Sequence, residues 1–322
     1  MGKYLPIRQV SANELEERHQ IPKGWIAKHS GVEYRHYAND SETCAYMGAK
    51  ALEEALKKAG LVFEDLDLIV SASGSFDYPI PHRACWIPKE MGKLEAGIPC
   101  FDIDATCLSF ITALDVVSSL LDGWRYRRVA IVSSEISSKS LNYKDWESST
   151  LLGDGAAAAI VALPNEGENC AVLNANMQTF SKGVAHTIVR AGGNIAHGRD
   201  KSIRDEEFTF DMRGRELLRL VMQITPPFMK KLFEPFDFEV KDLDLCIPHQ
   251  ASKAGLKMGR RLLKLKEKQY FSHIKTHGNC IAASIPMALY DAIEAKQIVR
   301  GSKVLLVGTG AGLSIGGVVI RY

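Results

Sequence analysis

The sequence runs to 322 residues, 46% of them apolar and 24% charged, with 40 Lys and Arg set against 38 Asp and Glu for a net charge of +2. This is the composition of a globular chain of one or two domains. It excludes a nucleic-acid binder built on a strong global field and, with no apolar run of roughly 18 residues, a membrane-spanning helix.

In chain order, the opening MGKYLPIRQV has no apolar signal core. Pro6 stands where a myristoylation motif needs Ser or Thr, so that match fails. SETCAYMGAKALEEALKKAG (41–60) has helical spacing, with Ser41 as the expected cap and Gly60 as the stop. DLIVSAS (67–73) and PCFDID (99–104) read as strands, CLSFITALDVVSSLLDG (107–123) as a helix, and RRVAIVSSE (127–135) and AAAAIVAL (156–163) as strands. LPNEGENC (163–170) combines Pro, Gly and charge and is the best internal boundary. Beyond it come a strand at 172–180, helices at 213–233 and 251–266, a strand at 243–248, a helix at 282–296, the strand KVLLVG and a final strand IGGVVIRY. This alternation predicts mixed or parallel sheets with helical layers.

The chain also repeats itself. KAGLVFEDLDLIV at 58–70 matches PFDFEVKDLDLCI at 235–247, 177 residues on, and VAIV at 129–132 matches VLLV at 304–307, 175 residues on. TCLSFITALDVV at 106–117 matches NCIAASIPMALY at 279–290 at a separation of 173, which pairs Cys107 with Asn279 and Cys280. The period is far too long for a solenoid and indicates a duplicated half. The seven cysteines are odd in number and lack a CxxC, so they read as reduced thiols and the expected location is cytoplasmic. No HxxxH-type cluster with cysteines at ligand spacing suggests zinc.

Chemistry concentrates at three strand-to-helix junctions. Cys107 sits in DIDATCLSF, where the positive end of the following helix lowers a thiol's pKa. His249 follows a strand in IPHQAS, and Asn279 lies in THGNCIAAS. A lone cysteine is more often a core residue, but three polar groups at corresponding sheet ends can converge on one cleft. GTGAG after KVLLVG looks like a dinucleotide fingerprint, but position 313 is Leu and only about ten residues remain, too few for a βαβ unit.

These motifs resemble the decarboxylating condensing enzymes of the thiolase superfamily, specifically β-ketoacyl-acyl-carrier-protein synthase III. The resemblance covers essentially the whole chain: YLP at 4–6, WIAKHSGVEYRH at 25–36, DIDATC at 102–107, GDGAAAAIV at 153–161, PHQAS at 248–252, HGN with AASIP at 277–286, and GTGAGLSIGG at 308–317. It implies an α/β, five-layered αβαβα fold with two pseudo-symmetric halves, 1–163 and 164–322, working as a homodimer without metal or organic cofactor. It implies Cys107, His249 and Asn279 as the catalytic triad, with the backbone N–H groups of Cys107 and Ala311 as an oxyanion hole. An acyl-CoA primer would load Cys107, and a malonyl thioester on acyl carrier protein would be decarboxylated and condensed with it.

The resemblance also places substrate contacts. Trp25 matches the position that stacks on the CoA adenine, and Gly310 and Gly312 lie in the loop that approaches the acyl group. The helix after His249 carries Lys253, Lys257, Arg260, Arg261 and Lys264; the first, second, third and fifth fall on one helical face. That face is either simply solvated or a landing patch for the acidic carrier protein. His29 and Trp146 replace arginines usual near the CoA site. Ile80 aligns with a bulky aromatic gate that reaches in from the partner subunit, so a primer longer than acetyl is expected. The strand that usually precedes YLP looks absent.

Other classes fit less well. A thiolase needs a second cysteine in the C-terminal loop, where Thr309 and Ala311 stand. Elongating synthases use a histidine where Asn279 is, and plant-type polyketide synthases are usually longer. A head-to-head fatty acyl condensing enzyme and a synthase for a pimeloyl precursor remain open. A non-catalytic partner subunit is disfavoured by the complete triad.

Overall fold

The computed structural model describes all 322 residues. The first half opens with strand β1 (Gly2–Tyr4), a small two-stranded sheet of β2 (Arg8–Ser11) and β3 (Tyr34–Tyr37), and helices α1 (Ala12–Arg18) and α2 (Trp25–His29). It continues through α3 (Cys44–Ala59), β4 (Leu68–Ala72), α4 (Trp86–Glu90), β5 (Cys100–Ile103), α5 (Ser109–Leu120), β6 (Arg128–Glu135), α6 (Trp146–Ser149) and β7 (Gly155–Ala162). The rest comprises β8 (Ala171–Thr179), the two-stranded pair β9 (Thr187–Ile188) and β10 (Asp211–Met212), α7 (Gly214–Phe233), β11 (Leu245–Pro248), α8 (Lys253–Leu262), α9 (Ile274–His277), α10 (Ser284–Glu294), β12 (Lys303–Gly310) and β13 (Ser314–Arg321).

The duplication is visible in the sheets. One has strand order β1-β7-β6-β4-β5, and the other has β8-β13-β12-β11, with a parallel bridge from Cys246 to Tyr270 where the first sheet has β5. In each, the two antiparallel strands at one edge join a parallel pair, β4–β6 or β11–β12.

Strand periodicity builds the layers. On β6, Val129 and Ile131 point to a central core with α5 and α10, whereas Ala130 and Val132 pack on α3. On β12, Val304 and Leu306 face the central core, and Leu305 and Val307 face α7. The result is α3, sheet, α5 with α10, sheet, α7: a five-layered αβαβα stack.

Three expectations change. A first strand is present, because β1 pairs antiparallel with Ala156–Ala158. Gly2 permits it: a Cβ there would lie 2.1 Å from the Ala51 carbonyl on α3. The cap of α3 is Thr43, whose Oγ1 accepts from Tyr46 N–H, rather than Ser41; Gly60 closes the helix in the left-handed region as expected.

The third change is the register of the duplication around the site. Asp104 Oδ1 accepts from Thr106 N–H at 2.9 Å, and Asn279 Oδ1 accepts from Ile281 N–H at 2.9 Å. Ser109 Oγ accepts from Ala105 N–H at 3.0 Å, and Ser284 Oγ from Cys280 N–H at 2.9 Å. Thr106 and Ile281 both have positive φ, 53° and 45°. The two turns therefore superpose at a separation of 175. Asn279 pairs with Asp104 and Cys107 with Ala282, whereas the shared cysteine in the sequence motif suggests 173.

Candidate active site

Cys107, His249 and Asn279 line one cavity of about 670 Å³, together with Gly308, Gly310 and Ala311. Each arrives at the end of an element. Cys107 lies in a single 3₁₀ turn, Thr106–Leu108, that leads into α5. His249 follows β11, with its N–H donating to Val307 O at 2.8 Å. Asn279 follows α9, where its backbone bridges Leu151 O (2.8 Å) and Gly153 N–H (3.0 Å).

The glycines of β12 bring these turns together by close approach. A Cβ on Gly308 would stand 2.7 Å from His249 Cβ, and one on Gly310 would stand 2.7 Å from Thr106 Oγ1 and 3.2 Å from Ala105 O. The Gly-rich run thus serves contact between β12 and two of the three junctions. Gly312 (φ 139°) is the one glycine of the run in a conformation that side chains avoid.

Two donors are aimed by what surrounds them. The Asn279 amide oxygen is taken by Ile281 N–H and more distantly by Ser284 Oγ (3.4 Å), which leaves its NH₂ as the free end. His249 Nδ1 is sealed from solvent without a partner. An orphaned lone pair is tolerated better than an orphaned N–H, which favours the tautomer with the proton on Nε2. Burial pushes the imidazole down to about 4, so it is neutral at physiological pH.

Cys107 departs from the sequence expectation. Burial pushes its thiol up to about 12, with the charge of Glu135 adding to the rise. Against this, a helix terminus typically supplies only about 0.3–1 kcal/mol. Desolvation therefore outweighs the dipole. Cys107 is not singled out among the seven thiols by acidity, since Cys100 is pushed only to about 11.

Other candidates fall in several places. Trp25 lines the same cavity, stacked on His29 (4.3 Å between ring centroids) and edge-on to Trp146 (5.7 Å). The two unusual residues noted in the sequence are thus both against Trp25. Ile80 is 86% exposed and lies outside the cavity lining of its own chain. Lys253, Lys257 and Arg261 are exposed on α8 and Arg260 is half-buried; none is in an ion pair. Lys264 is not on that face, because α8 ends at Leu262 and Lys264 adopts a left-handed backbone (φ 54°).

His273 and His277 stand one turn apart with Asp291, a potential ligand set that a search for His–Cys spacing passes over. The Lys3 ammonium bonds to Asp291 and lies 3.3 Å from His277 Nε2, and His273 Nδ1 lies 2.7 Å from Asp291. The group is thus an ion-paired tie between β1, α9 and α10 behind the HGN turn.

Comparison with known proteins is consistent along the whole chain. Residues 101–181 match the family described as 3-oxoacyl-[acyl-carrier-protein] synthase III, and residues 234–322 match its C-terminal part. β-Ketoacyl-[acyl-carrier-protein] synthase III of Clostridioides difficile is 30% identical over all of this chain and 97% of its own length. The protein of the same name from Campylobacter curvus is 32% identical over all of this chain and 95% of its own. The crystal structure of 3-oxoacyl-[acyl-carrier-protein] synthase III from Aquifex aeolicus superposes with a TM-score of 0.88 at 29% identity, covering 100% and 98% of the two chains.

Proposed function

The chain belongs to the β-ketoacyl-acyl-carrier-protein synthase III family, and from that premise we propose that it condenses an acyl-CoA primer with a malonyl thioester on acyl carrier protein through an acyl-Cys107 intermediate. The observation that carries this reading is the gathering of Cys107, His249 and Asn279 around one cavity, with the free ends of both donors unclaimed by the protein.

Cys107 Sγ attacks the primer's thioester carbon. The acyl–sulfur bond to CoA breaks, and the thiol proton ends on the departing CoA sulfur. The malonyl thioester then enters. Loss of CO₂ leaves an enolate whose oxygen takes hydrogen bonds from His249 Nε2–H and the Asn279 NH₂. Its α-carbon attacks the acyl-Cys107 carbonyl, whose oxyanion is held by the backbone N–H groups of Cys107 and Ala311. Collapse frees the Cys107 thiolate, which takes up one proton from solvent.

In the same reading, the CoA adenine stacks near Trp25, His29 and Trp146. The exposed cations of α8 receive the carrier protein. The enzyme acts as a homodimer in which Ile80 of one subunit faces the acyl tunnel of the other. A primer longer than acetyl is expected, and the apolar lining of the cavity supports it, with Leu217, Leu218, Val221 and Met222 of α7 and Met258 and Leu262 of α8 among its walls. Gly255 leaves space there, where a Cβ would touch only Ser252 Oγ at 3.2 Å.

The division of labour is tested with Asn279→Ala. Malonyl decarboxylation should fall by about 10²–10³, while acylation of Cys107 from acyl-CoA survives. Equal loss in both half-reactions would contradict it.

A further inference from the structure

Glu135 is a buried carboxyl that the mechanism above does not use. It ends β6 with no exposed surface, and both its oxygens are committed: Oε1 accepts from Gly74 N–H at 2.7 Å and Oε2 from Ser75 N–H at 2.9 Å. Ser75 is tied back again, its Oγ accepting from Ile136 N–H at 3.3 Å. The gripped backbone lies behind both catalytic turns. From the Cβ direction of Gly74, the nearest atoms are Ile281 Cγ2 (3.7 Å), Thr106 Cα (3.8 Å) and Glu135 Oε1 itself (3.9 Å). Thr106 immediately precedes Cys107. Ile281 is the residue whose N–H fixes the Asn279 amide.

We propose that Glu135 is a positioning residue of the condensation, a carboxyl that clamps the Gly74–Ser75 backbone against the turns carrying Cys107 and Asn279 and whose charge opposes the Cys107 thiolate. The inference rests on Cys107 being the nucleophile.

The electrostatics follow from the enclosure. Burial lifts Glu135 to about 7, against the pull of the Gly74 and Ser75 donors and of Arg83. Arg83, the cation whose charge bears on it, is itself paired with Asp102 at 3.1 Å and with Asp104 at 3.5 Å. The thiols of Cys44, Cys107 and Cys280 also feel the Glu135 charge. Glu135 itself is fully enclosed, and an enclosed carboxyl beside a second forming anion favours one negative charge over two. Asp104 adds to the opposition at Cys107, and a Glu135 that gains a proton as charge appears on Cys107 relieves its own share of it.

The test is the pH dependence of iodoacetamide alkylation, read peptide by peptide so that Cys107 is scored apart from the other thiols. Below about pH 7, neutral Glu135 leaves the thiolate less opposed; above it, ionised Glu135 makes the thiolate harder to form. For a coupling of about one unit, the logarithm of the Cys107 rate should therefore climb with pH, slacken to about half that slope just above pH 7, and then resume its climb. Glu135→Gln should give one straight climb, with Cys107 alkylated roughly fivefold faster at pH 8 yet condensation slowed, because an amide cannot accept both N–H bonds. Glu135→Asp should keep the shoulder while slowing condensation, and with the unmodified protein it decides the matter should the Gln variant not fold. A straight climb in the unmodified protein, or a shoulder that persists in Glu135→Gln, overturns the proposal. A failure of the nucleophile assignment is read separately, as acyl label from acyl-CoA on a thiol other than Cys107.

Discussion

A single methyl group on Gly308 should disable one half-reaction more than the other. The added Cβ would stand 2.7 Å from His249 Cβ, about 0.8 Å inside ordinary carbon–carbon contact. Its other neighbours, Leu108 Cδ2 at 3.4 Å and Ile285 Cδ1 at 3.6 Å, are already at tolerable distances, so the strain falls on His249. A Cβ is the root of its side chain, and the imidazole cannot avoid the contact by changing rotamer. Displacement approaching 1 Å costs up to about 10² in rate for a positioned group, and overpacking of this kind destabilises by about 1–3 kcal/mol. Gly308→Ala is therefore expected to lower the melting temperature by a few degrees and to slow malonyl decarboxylation, followed as CO₂ release, by about 30- to 100-fold. Acylation of Cys107, followed by intact mass, should change much less. Gly198→Ala, where nothing lies within 4 Å, is the control for handling. Decarboxylation by Gly308→Ala within twofold of the unmodified enzyme would refute the claim that the glycine exists to seat His249.

Charge reversal at Lys257 with Arg260 should raise the KM for malonyl-acyl-carrier protein and leave acylation from acyl-CoA unchanged, and added salt should weaken carrier binding less in the variant than in the parent; an unchanged KM returns α8 to a merely solvated face. Measured with acetyl-, glutaryl-, octanoyl- and dodecanoyl-CoA, acylation should favour primers longer than acetyl, and both Gly255→Leu and Ile80→Phe should shift preference to short chains by steric rejection; acetyl-CoA as the best primer of the unmodified enzyme would defeat this. Burial holds His249 at about 4 and His277 at about 3, both below the usual 6.5. Their depressed values mean the unfolded chain binds more protons, so stability is lost as pH falls from about 6.5 towards those values, by about 2 kcal/mol per histidine between pH 7 and 5. Denaturant titrations of His249→Asn should show a shallower pH dependence, and an identical one would contradict the assignment of that loss to His249.

Much of the architecture could be read from the chain because strand and helix periods are strong there. VAIV and VLLV are buried on both faces, as strands between two helical layers must be. The three positions that line the cavity were legible because each sits in a compact motif, Cys107 and His249 just past strands and Asn279 in the turn after α9. What the sequence hid was interaction at a distance. The register of the duplication rests on Asx turns at Asp104 and Asn279, which a shared cysteine two residues out of phase obscures. The direction of the Cys107 shift depends on enclosure by both halves, which local helix chemistry does not reveal. Lys264 leaves its expected face because α8 stops early. Glu135 has no motif; it matters through the backbone it holds, 60 residues away in the chain.

The most direct test is to incubate the protein with a long-chain acyl-CoA, weigh it intact, and locate the label by peptide mass spectrometry. A single acyl group is expected on Cys107, absent in a folded Cys107→Ala variant and discharged on addition of malonyl-acyl-carrier protein. Because Cys107 is not favoured by acidity, selective labelling would have to come from thioester binding in the cavity. Acyl label on Cys85, Cys100 or Cys280, or a labelled Cys107 that malonyl-acyl-carrier protein fails to discharge, would contradict it.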